Sequence, residues 1–193
     1  MFSKQFWPRS GVNMVIKFCA QCGNELTTKI DGGRERPACR RCGYIVYRNP
    51  APVGLVVATR DDKLLLIHRV RPPLAGYWAP PTGYVEIDES IEEAAVREAK
   101  EETGLDMVVE RLLKVYSRAN MGVMLLAYAT RIAGGALAPG EDDVDGARFF
   151  TRDELPRQPA PANETPLDQW FFEIVSEIVE KFRWDGGCQK AER

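Results

Sequence analysis

The sequence lacks any long apolar run, any strong excess of one charge, and all histidines but one. No apolar stretch approaches the length of a transmembrane span, and residues 1–17 contain no continuous apolar core of the kind found in secretory signals. We therefore expect a cytoplasmic protein with no membrane partner. The 26 basic and 28 acidic residues leave a net charge of −2, which does not favour strong binding to nucleic acid.

Cysteine is also scarce, but four of the five cysteines are spaced as two pairs. Cys19-x2-Cys22 and Cys39-x2-Cys42 are separated by sixteen residues, which is the spacing of a four-cysteine zinc site. Two disulfides and a rubredoxin-like iron site are the alternatives, although cytosolic thiols stay reduced. The fifth cysteine, Cys188, lies in a polar tail and is expected to be a free thiol.

The segment between the cysteine pairs contains Asp31-Gly32-Gly33, a strong hairpin-turn signal. We predict a zinc ribbon at residues 18–48, built on a hairpin. Zn2+ bound by four thiolates has no open position for a substrate water, so this site is expected to be structural. The other predicted parts are an N-terminal extension at residues 1–17, a larger domain at 49–184 and a tail at 185–193.

A second motif occupies Gly83 to Leu105. Ser90 and Glu93 form a predicted capping box that starts a helix, and Gly104 is a typical C-terminal stop. The segment fits the pattern G-x5-E-x7-R-E-U-x-E-E-x-G-U, in which U is a bulky aliphatic residue. The matching positions are Gly83, Glu89, Arg97-Glu98, Glu101-Glu102 and Gly104-Leu105, and the one departure is Ala99 at a U position.

The glutamates of this helix are candidate metal ligands. Glu98, Glu101 and Glu102 are three and four positions apart, so they project from one helical face. Carboxylates gathered in this way repel one another unless a cation joins them, and oxygen ligands favour Mg2+ or Mn2+. The alternative is a solvated acidic face in which Arg97 and Glu101 form an i,i+4 ion pair. The full spacing, after a Pro/Gly loop, favours the metal site.

This pattern is the box of the Nudix hydrolases, and residues 18 to about 160 resemble the zinc-ribbon branch of that family. The resemblance implies an α/β fold, specifically an α/β/α sandwich with a mixed sheet. It also implies Mg2+- or Mn2+-dependent hydrolysis of the pyrophosphate bond in a nucleoside diphosphate derivative. The products would be a nucleoside monophosphate and a second phosphate ester.

The resemblance also implies roles for residues of the box. Glu98 and Glu102 would bind the metal directly, and Glu101 directly or through water. Glu89 would be a supporting acid, and Arg97 would orient the glutamates. The candidate substrate-binding residues are Trp78, Arg69, Gly83 and Glu141.

Within the branch, the sequence resembles the plant-type FAD and ADP-ribose pyrophosphatases more closely than the NADH pyrophosphatases. The Ser-Gln-Pro-Trp-Pro-Phe-Pro segment typical of the latter is absent, since residues 116–121 read Tyr-Ser-Arg-Ala-Asn-Met. Pro80-Pro81-Thr82-Gly83 replaces the usual Leu-Pro-Gly-Gly or Leu-Pro-Ala-Gly. Gly146 stands where many relatives carry an acid, so the base is unassigned. The carboxylate that assists the attacking water would be Glu101 or an acid from Glu141 to Asp145.

Two other classes of function remain open. The chain could be a nucleotide sensor without catalysis or an interaction protein that uses the ribbon, or it could hydrolyse nucleoside triphosphates. The intact glutamate set argues against a sensor. ADP-ribose, FAD, NADH and an oxidised nucleoside triphosphate are the substrates considered, and a homodimer is possible.

Hydrophobic patterning predicts the remaining elements of the larger domain. Asp61-Asp62 separates two apolar runs, so the expected hairpin pairs residues 53–60 with 63–69. Three more strands are expected at 107–118, 121–132 and 147–151. A short helical turn is expected at 152–155. Residues 167–182 carry apolar side chains at helical spacing and are expected to form an amphipathic helix.

Overall fold

A computed structural model describes residues 16–140, 143–162 and 165–184 of the chain. It divides into two compact units, one ending at Asn49 and the other starting at Pro50. No helix in the described part of the chain is both long and apolar enough to span a membrane.

The smaller unit is built on a two-stranded antiparallel hairpin. Strand β1 (Leu26–Asp31) pairs with β2 (Arg34–Cys39), and Asp31 lies opposite Arg34. Gly32 and Gly33 form the turn with φ angles of +56° and +75°, which are left-handed conformations that glycine adopts without a steric penalty. The predicted hairpin is confirmed.

Over the described residues, the larger unit is a mixed sheet with two helices. Its elements are β3 (Ala51–Arg60), β4 (Lys63–Arg69), β5 (Trp78–Ala79), β6 (Thr82–Tyr84), α1 (Ile91–Thr103), β7 (Leu105–Ser117), β8 (Val123–Gly135), β9 (Val144–Phe150) and α2 (Pro166–Trp184). Strands β3 and β8 run parallel, and the other pairings are antiparallel. The central order is β5-β4-β3-β8-β7, with β6 paired to β3 and β9 paired to β4.

The two helices cover opposite faces of this sheet. Along β3, Leu55 belongs to the core cluster that contains Phe171 of α2, whereas the next residue, Val56, belongs to the cluster that contains Ala95 of α1. This alternation is the period-2 pattern of a strand buried on both faces. The predicted α/β/α sandwich is confirmed.

A glycine on the central strand lets α1 lie close to the sheet. A Cβ atom at Gly54 would lie 2.8 Å from the Cβ of Ala95, too close for any side chain. The small residues Gly54 and Ala95 therefore fix how closely the box helix approaches β3.

Most predicted elements are found, with differences of a few residues at their ends. The β3–β4 turn is made by Asp61 and Asp62, both with positive φ, as the acidic pair predicted. Residues 152–155, where a short helical turn is expected, form a single turn in which the Glu154 N–H donates to the Thr151 carbonyl at 3.1 Å. The Glu154 carboxylate accepts hydrogen bonds from the backbone N–H and the hydroxyl of Thr151, and the following Pro156 has no N–H to extend a helix.

Candidate active site

The box helix has the two ends that the sequence predicted. The Ser90 hydroxyl accepts the Glu93 N–H at 3.2 Å, and the Glu93 carboxylate accepts the Ser90 N–H at 2.7 Å. Gly104 closes the helix in a left-handed conformation, and its N–H donates to the Lys100 carbonyl. Because both ends are hydrogen-bonded, the glutamates between them project from a rigid element.

A cavity of about 430 Å³ opens beside this helix. Its polar wall includes Glu98 and Glu102 from α1 and Arg69 from the end of β4, and apolar side chains form much of the remainder. The lining residues are Ala51, Val53, Arg69, Arg71, Pro72, Pro73, Thr82, Gly83, Tyr84, Glu86, Glu98, Glu102, Leu125, Asp143 and Phe171.

Gly83 makes the space that the Glu98 side chain occupies. A Cβ atom at position 83 would lie 2.1 Å from both Cγ and Cδ of Glu98. The glycine of the box is therefore required by the close approach of its glutamate, and the backbone of β6 forms the surface on which Glu98 rests.

Glu102 is buried, with only 6% of its surface exposed. One carboxylate oxygen accepts the Thr82 N–H at 2.9 Å. Burial raises the pKa of Glu102 to about 8, and the nearby acids Glu98 and Asp143 add to this effect, whereas Arg69 and the Thr82 N–H oppose it. The charged form of Glu102 is thus incompletely compensated by the protein groups around it.

Arg97 ties the acidic residues of the box together. Its Nε and Nη2 donate to the two carboxylate oxygens of Glu89 at 2.9 and 2.6 Å. Its Nη1 donates to Glu98 at 2.7 Å and to Glu101 at 3.3 Å, while Nη2 also reaches the Tyr84 carbonyl. These contacts, with Glu89 foremost, raise the pKa of Arg97 further above its ordinary value. Arg97 therefore fixes the orientation of Glu98.

The three predicted metal-binding glutamates do not all face the cavity. Glu98 and Glu102 line it, whereas the half-exposed Glu101 turns toward Arg97. In the described residues, the three do not form a cluster with ligand atoms within 4.8 Å of one another. The metal-binding roles of Glu98, Glu101 and Glu102 all stay predictions.

Arg69 lies at the end of β4 and lines the same cavity. Its Nε donates to the Pro73 carbonyl at 2.8 Å, and its guanidinium carbon lies 5.6 Å from the centre of the Phe171 ring. Burial lowers the pKa of Arg69, and the attraction of nearby acids, Glu102 first, opposes that change. Arg71 also lines the cavity and forms an ion pair with Asp143, at 3.0 Å from Nε to Oδ1.

Trp78 is not among the residues that line the cavity. Its ring packs edge-on against Phe150 and beside His68, with centroid distances of 4.9 and 5.1 Å. A Cβ atom at Gly146 would lie 3.1 Å from Trp78, so this ring occupies the space that a side chain at 146 would need. The candidate Glu141 lies outside the described residues.

The four predicted zinc ligands come together in the smaller unit. The sulfur atoms of Cys19, Cys22, Cys39 and Cys42 all lie within 4.8 Å of one another. The sulfur atoms of Cys19 and Cys42 lie 3.6 Å apart and those of Cys22 and Cys39 lie 3.5 Å apart, so the thiols are not joined as disulfides. The backbone N–H of Cys42 is the main cause that lowers the pKa of Cys39 to about 6. This cluster suits a structural tetrathiolate zinc site.

Two family models match the chain. The NUDIX domain matches residues 48–171, and the Nudix N-terminal zinc ribbon matches residues 17–48. The chain therefore belongs to the Nudix family and carries the ribbon of its zinc-binding branch.

Curated relatives include two kinds of enzyme. An ADP-ribose pyrophosphatase of Methanocaldococcus jannaschii is 41% identical over 118 residues, which cover 59% of this chain and 69% of that protein. An NAD-capped RNA hydrolase of Stutzerimonas stutzeri is 31% identical over 144 residues, which cover 75% of this chain. The chain spans about half the length of such relatives, 51% in this case.

Solved structures agree on the fold. A NUDIX hydrolase from Nitrosomonas europaea superposes with a TM-score of 0.74 at 26% identity, covering 87% of this chain and 90% of that one. An ADP-ribose pyrophosphatase from Streptococcus suis superposes with a TM-score of 0.52 at 26% identity, covering 70% and 93%.

Sequence reasoning missed some residues at the cavity. The apolar spacing of residues 167–182 predicted that Phe171 is buried in an amphipathic helix. It did not predict that Phe171 lines the cavity. Asp168, three residues earlier, is 3% exposed and bonds to the loop after β4. The Thr165-x-x-Asp168 spacing could have predicted its capping role, but not this contact between elements.

Proposed function

We propose that this protein hydrolyses the pyrophosphate bond of a nucleoside diphosphate derivative with Mg2+ or Mn2+. The main support for the proposal is that Glu98, Glu102 and Arg69 line one cavity, whose remaining wall is largely apolar. Carboxylates suit a divalent cation, and an arginine suits a phosphoryl group. The apolar wall, with Val53, Leu125 and Phe171, suits the nucleoside or its partner group.

The donor set of the cavity fits a hard divalent cation. Glu102 is a buried carboxylate whose neighbouring Glu98 and Asp143 disfavour its charged form, and a cation would relieve this cost. Glu98 and Glu102 would hold the ion, with Glu101 as a further or water-mediated ligand. When bound, such an ion neutralises phosphoryl oxygens and lowers the pKa of a coordinated water.

The other residues of the site would position ligand and substrate. Thr82 fixes Glu102 through its backbone N–H, and Arg97 fixes Glu98 through its side chain. Arg69 would donate to phosphoryl oxygens. A carboxylate near the cavity would accept the proton of the attacking water, and Asp143, which lines the cavity, is the candidate within the described residues.

ADP-ribose is the substrate we place first. The relative named for that activity is 41% identical over its aligned residues, and residues 116–121 depart from the segment typical of NADH pyrophosphatases. FAD and NADH come next. FAD follows from the resemblance to the FAD and ADP-ribose pyrophosphatases, and NADH is supported by relatives named for hydrolysis of NAD-capped RNA, which match three quarters of the chain. A nucleotide sensor without catalysis is the alternative outcome.

A turnover screen tests the proposal. The zinc-loaded protein is incubated with ADP-ribose, FAD, NADH or an oxidised nucleoside triphosphate, each with Mg2+ and with Mn2+, and products are separated by chromatography. The proposal expects a nucleoside monophosphate and a second phosphate ester from ADP-ribose, FAD or NADH. Release of inorganic pyrophosphate from the triphosphate alone would favour the alternative hydrolase. Binding of these nucleotides without any turnover would favour a sensor.

A further inference from the structure

The first turn of α2 carries a buried acid that the proposed chemistry does not use. Asp168 is 3% exposed. Its Oδ2 accepts hydrogen bonds from the backbone N–H and hydroxyl of Thr165, which is an N-terminal capping arrangement. Its Oδ1 points the other way and accepts the Leu74 N–H at 2.8 Å, across 94 residues of sequence. Helix capping accounts for the hydrogen bonds of Oδ2 but not for the hydrogen bond between Oδ1 and Leu74.

The hydrogen-bond partner of Asp168 Oδ1 is a peptide group next to the cavity, which Pro73 lines. The Leu74 N–H and the Pro73 carbonyl belong to one peptide group. Asp168 accepts from the N–H end of this group, and Arg69 Nε donates to its carbonyl end at 2.8 Å. A single amide thus lies between a carboxylate and a guanidinium. The carboxylate lies at the N–H, the positive end of the peptide dipole, and the guanidinium lies at the carbonyl, the negative end. Each charge polarises the amide, so the hydrogen bond made by the other charge becomes stronger.

These contacts leave the outer part of Arg69 available to a ligand. Within residues 16–140, 143–162 and 165–182, its two terminal nitrogens have no hydrogen-bond acceptor and it forms no ion pair. The Phe171 ring, one helical turn beyond Asp168, lies under the guanidinium. The orientation of the guanidinium is therefore set by the Nε hydrogen bond and by α2, and Arg69 lines the cavity together with Glu98 and Glu102.

We propose that Asp168 is a positioning residue for substrate binding, which holds Arg69 through the Pro73–Leu74 peptide so that the guanidinium meets a phosphoryl group. This inference rests on the proposed function for the identity of the ligand. Asp168 does not touch the substrate. Its contribution is to fix a long, flexible side chain before the substrate arrives, which lowers the entropic cost of binding.

Asp168→Asn is the variant that tests the coupling. The amide oxygen can still accept the Leu74 N–H, so the loop can keep its path, but the charge that polarises the peptide is removed. The amide NH2 then takes the place of Oδ2, where it can donate to the Thr165 hydroxyl but cannot accept the Thr165 N–H. We expect the Arg69 Nε–H cross-peak in a 1H–15N spectrum, assigned by its loss in Arg69→Lys, to shift in this variant. We also expect KM for ADP-ribose to rise roughly tenfold, with a smaller change in kcat, as for the loss of one charge-assisted hydrogen bond.

Two control variants separate this role from stability and net charge. Glu173→Gln removes an exposed acid from the same helix, where it pairs with Arg118, and is expected to leave the Arg69 cross-peak and KM unchanged. Thr165→Val removes the capping hydroxyl and is expected to lower the Tm while leaving the Arg69 cross-peak in place. If Asp168→Asn is unfolded at the assay temperature, Asp168→Glu is the second variant. Because it retains the charge, it is expected to keep KM closer to wild type than Asp168→Ala does.

The double variant Asp168→Asn/Arg69→Lys gives the decisive comparison. If Asp168 acts through Arg69, the aspartate change adds less than twofold to the KM of Arg69→Lys. A full additional increase, or an Arg69 cross-peak that does not move in Asp168→Asn, overturns the inference. The cross-peak is measured without turnover, so it reports on the coupling even if no nucleotide is hydrolysed. Titration with inorganic pyrophosphate, followed at the same peak, tests the anion-binding role in that case.

Discussion

The Glu98 side chain lies directly against the backbone of Gly83, and a Cβ atom at position 83 would lie 2.1 Å from Glu98 Cγ. The two residues are fifteen positions apart in sequence, and both are fixed positions of the box. Glycine and glutamate are thus one structural unit, since the acid can hold its place only where its neighbour has no side chain.

Replacing Gly83 with alanine is expected to displace Glu98 and to lower turnover by about 10- to 100-fold, the usual effect of a small misplacement at an active site. Steady-state kinetics with Mg2+ measures this effect. Gly134→Ala is the matched control, because the nearest atom to its Cβ is an Asp106 carboxylate oxygen at an ordinary 3.4 Å. Equal activities of the two variants would show that the close approach of Gly83 does not determine the position of Glu98.

Arg97→Lys is expected to lower turnover although the charge is conserved. A lysine ammonium cannot reproduce the paired Nε and Nη2 bonds to Glu89 while also contacting Glu98. Loss of such an orienting partner typically costs about 10- to 100-fold in metal affinity or activity. Both are measured, by Mn2+ titration and by kinetics.

Arg148→Lys is the control for that change, since it alters an exposed arginine paired with Glu154. It is expected to behave like wild type. If Arg97→Lys binds Mn2+ as tightly as the wild type, Arg97 does not orient the metal-binding glutamates.

Glu102 predicts a pH dependence of stability in protein free of Mg2+ and Mn2+ but still holding zinc. Its pKa is raised by burial from the ordinary 4.5 to about 8. The unfolded chain ionises first as the pH rises, so the stability contributed by the protonated form is full below about pH 4.5 and lost by about pH 8. Urea denaturation at pH 5.5, 7 and 8.5 measures the fall in the free energy of unfolding.

Glu102→Gln cannot ionise, so its stability is expected to decline less over the same range. Added Mg2+ is expected to restore stability to the wild type at pH 8.5 and not to this variant. Parallel pH profiles for the two proteins would contradict the assignment of a buried, uncompensated carboxylate.

The cysteine cluster predicts one zinc ion per chain with a local structural effect. Cys39→Ser is expected to lose zinc in metal analysis and to make the hairpin of residues 26–39 sensitive to protease, because small units of this kind depend on their metal. Cys188→Ser is the control and should keep the ion. Full zinc occupancy in Cys39→Ser would exclude the four-thiolate site.

Much of the fold could be predicted from local signals. The capping box at Ser90 and the stop at Gly104 fixed both ends of α1, and the spacing of apolar residues predicted α2 to within two residues at its C-terminus. These features depend on neighbours along the chain. The hairpin turn at Asp61-Asp62 was likewise predicted from the residues on either side of it.

The cavity was less predictable because it depends on contacts between distant segments. Helical spacing placed Glu98, Glu101 and Glu102 on one face, but only tertiary structure separates the two that line the cavity from Glu101. Burial of Asp168 beneath the loop at Leu74 follows from the docking of α2, which no local pattern encodes. The expected homodimer and the absence of nucleic-acid binding stay predictions.

Calorimetric titration of the zinc-loaded protein with Mn2+, in the presence of a non-hydrolysable ADP-ribose analogue, tests the central claim most directly. Saturable binding is predicted for the wild type, and also for Glu173→Gln, whose lost acid is exposed on α2. Binding is predicted to weaken by at least 10-fold in Glu98→Gln and in Glu102→Gln, since each removes a ligand. Equal Mn2+ binding by all four proteins, or none by the wild type, would contradict a metal site formed by these two glutamates.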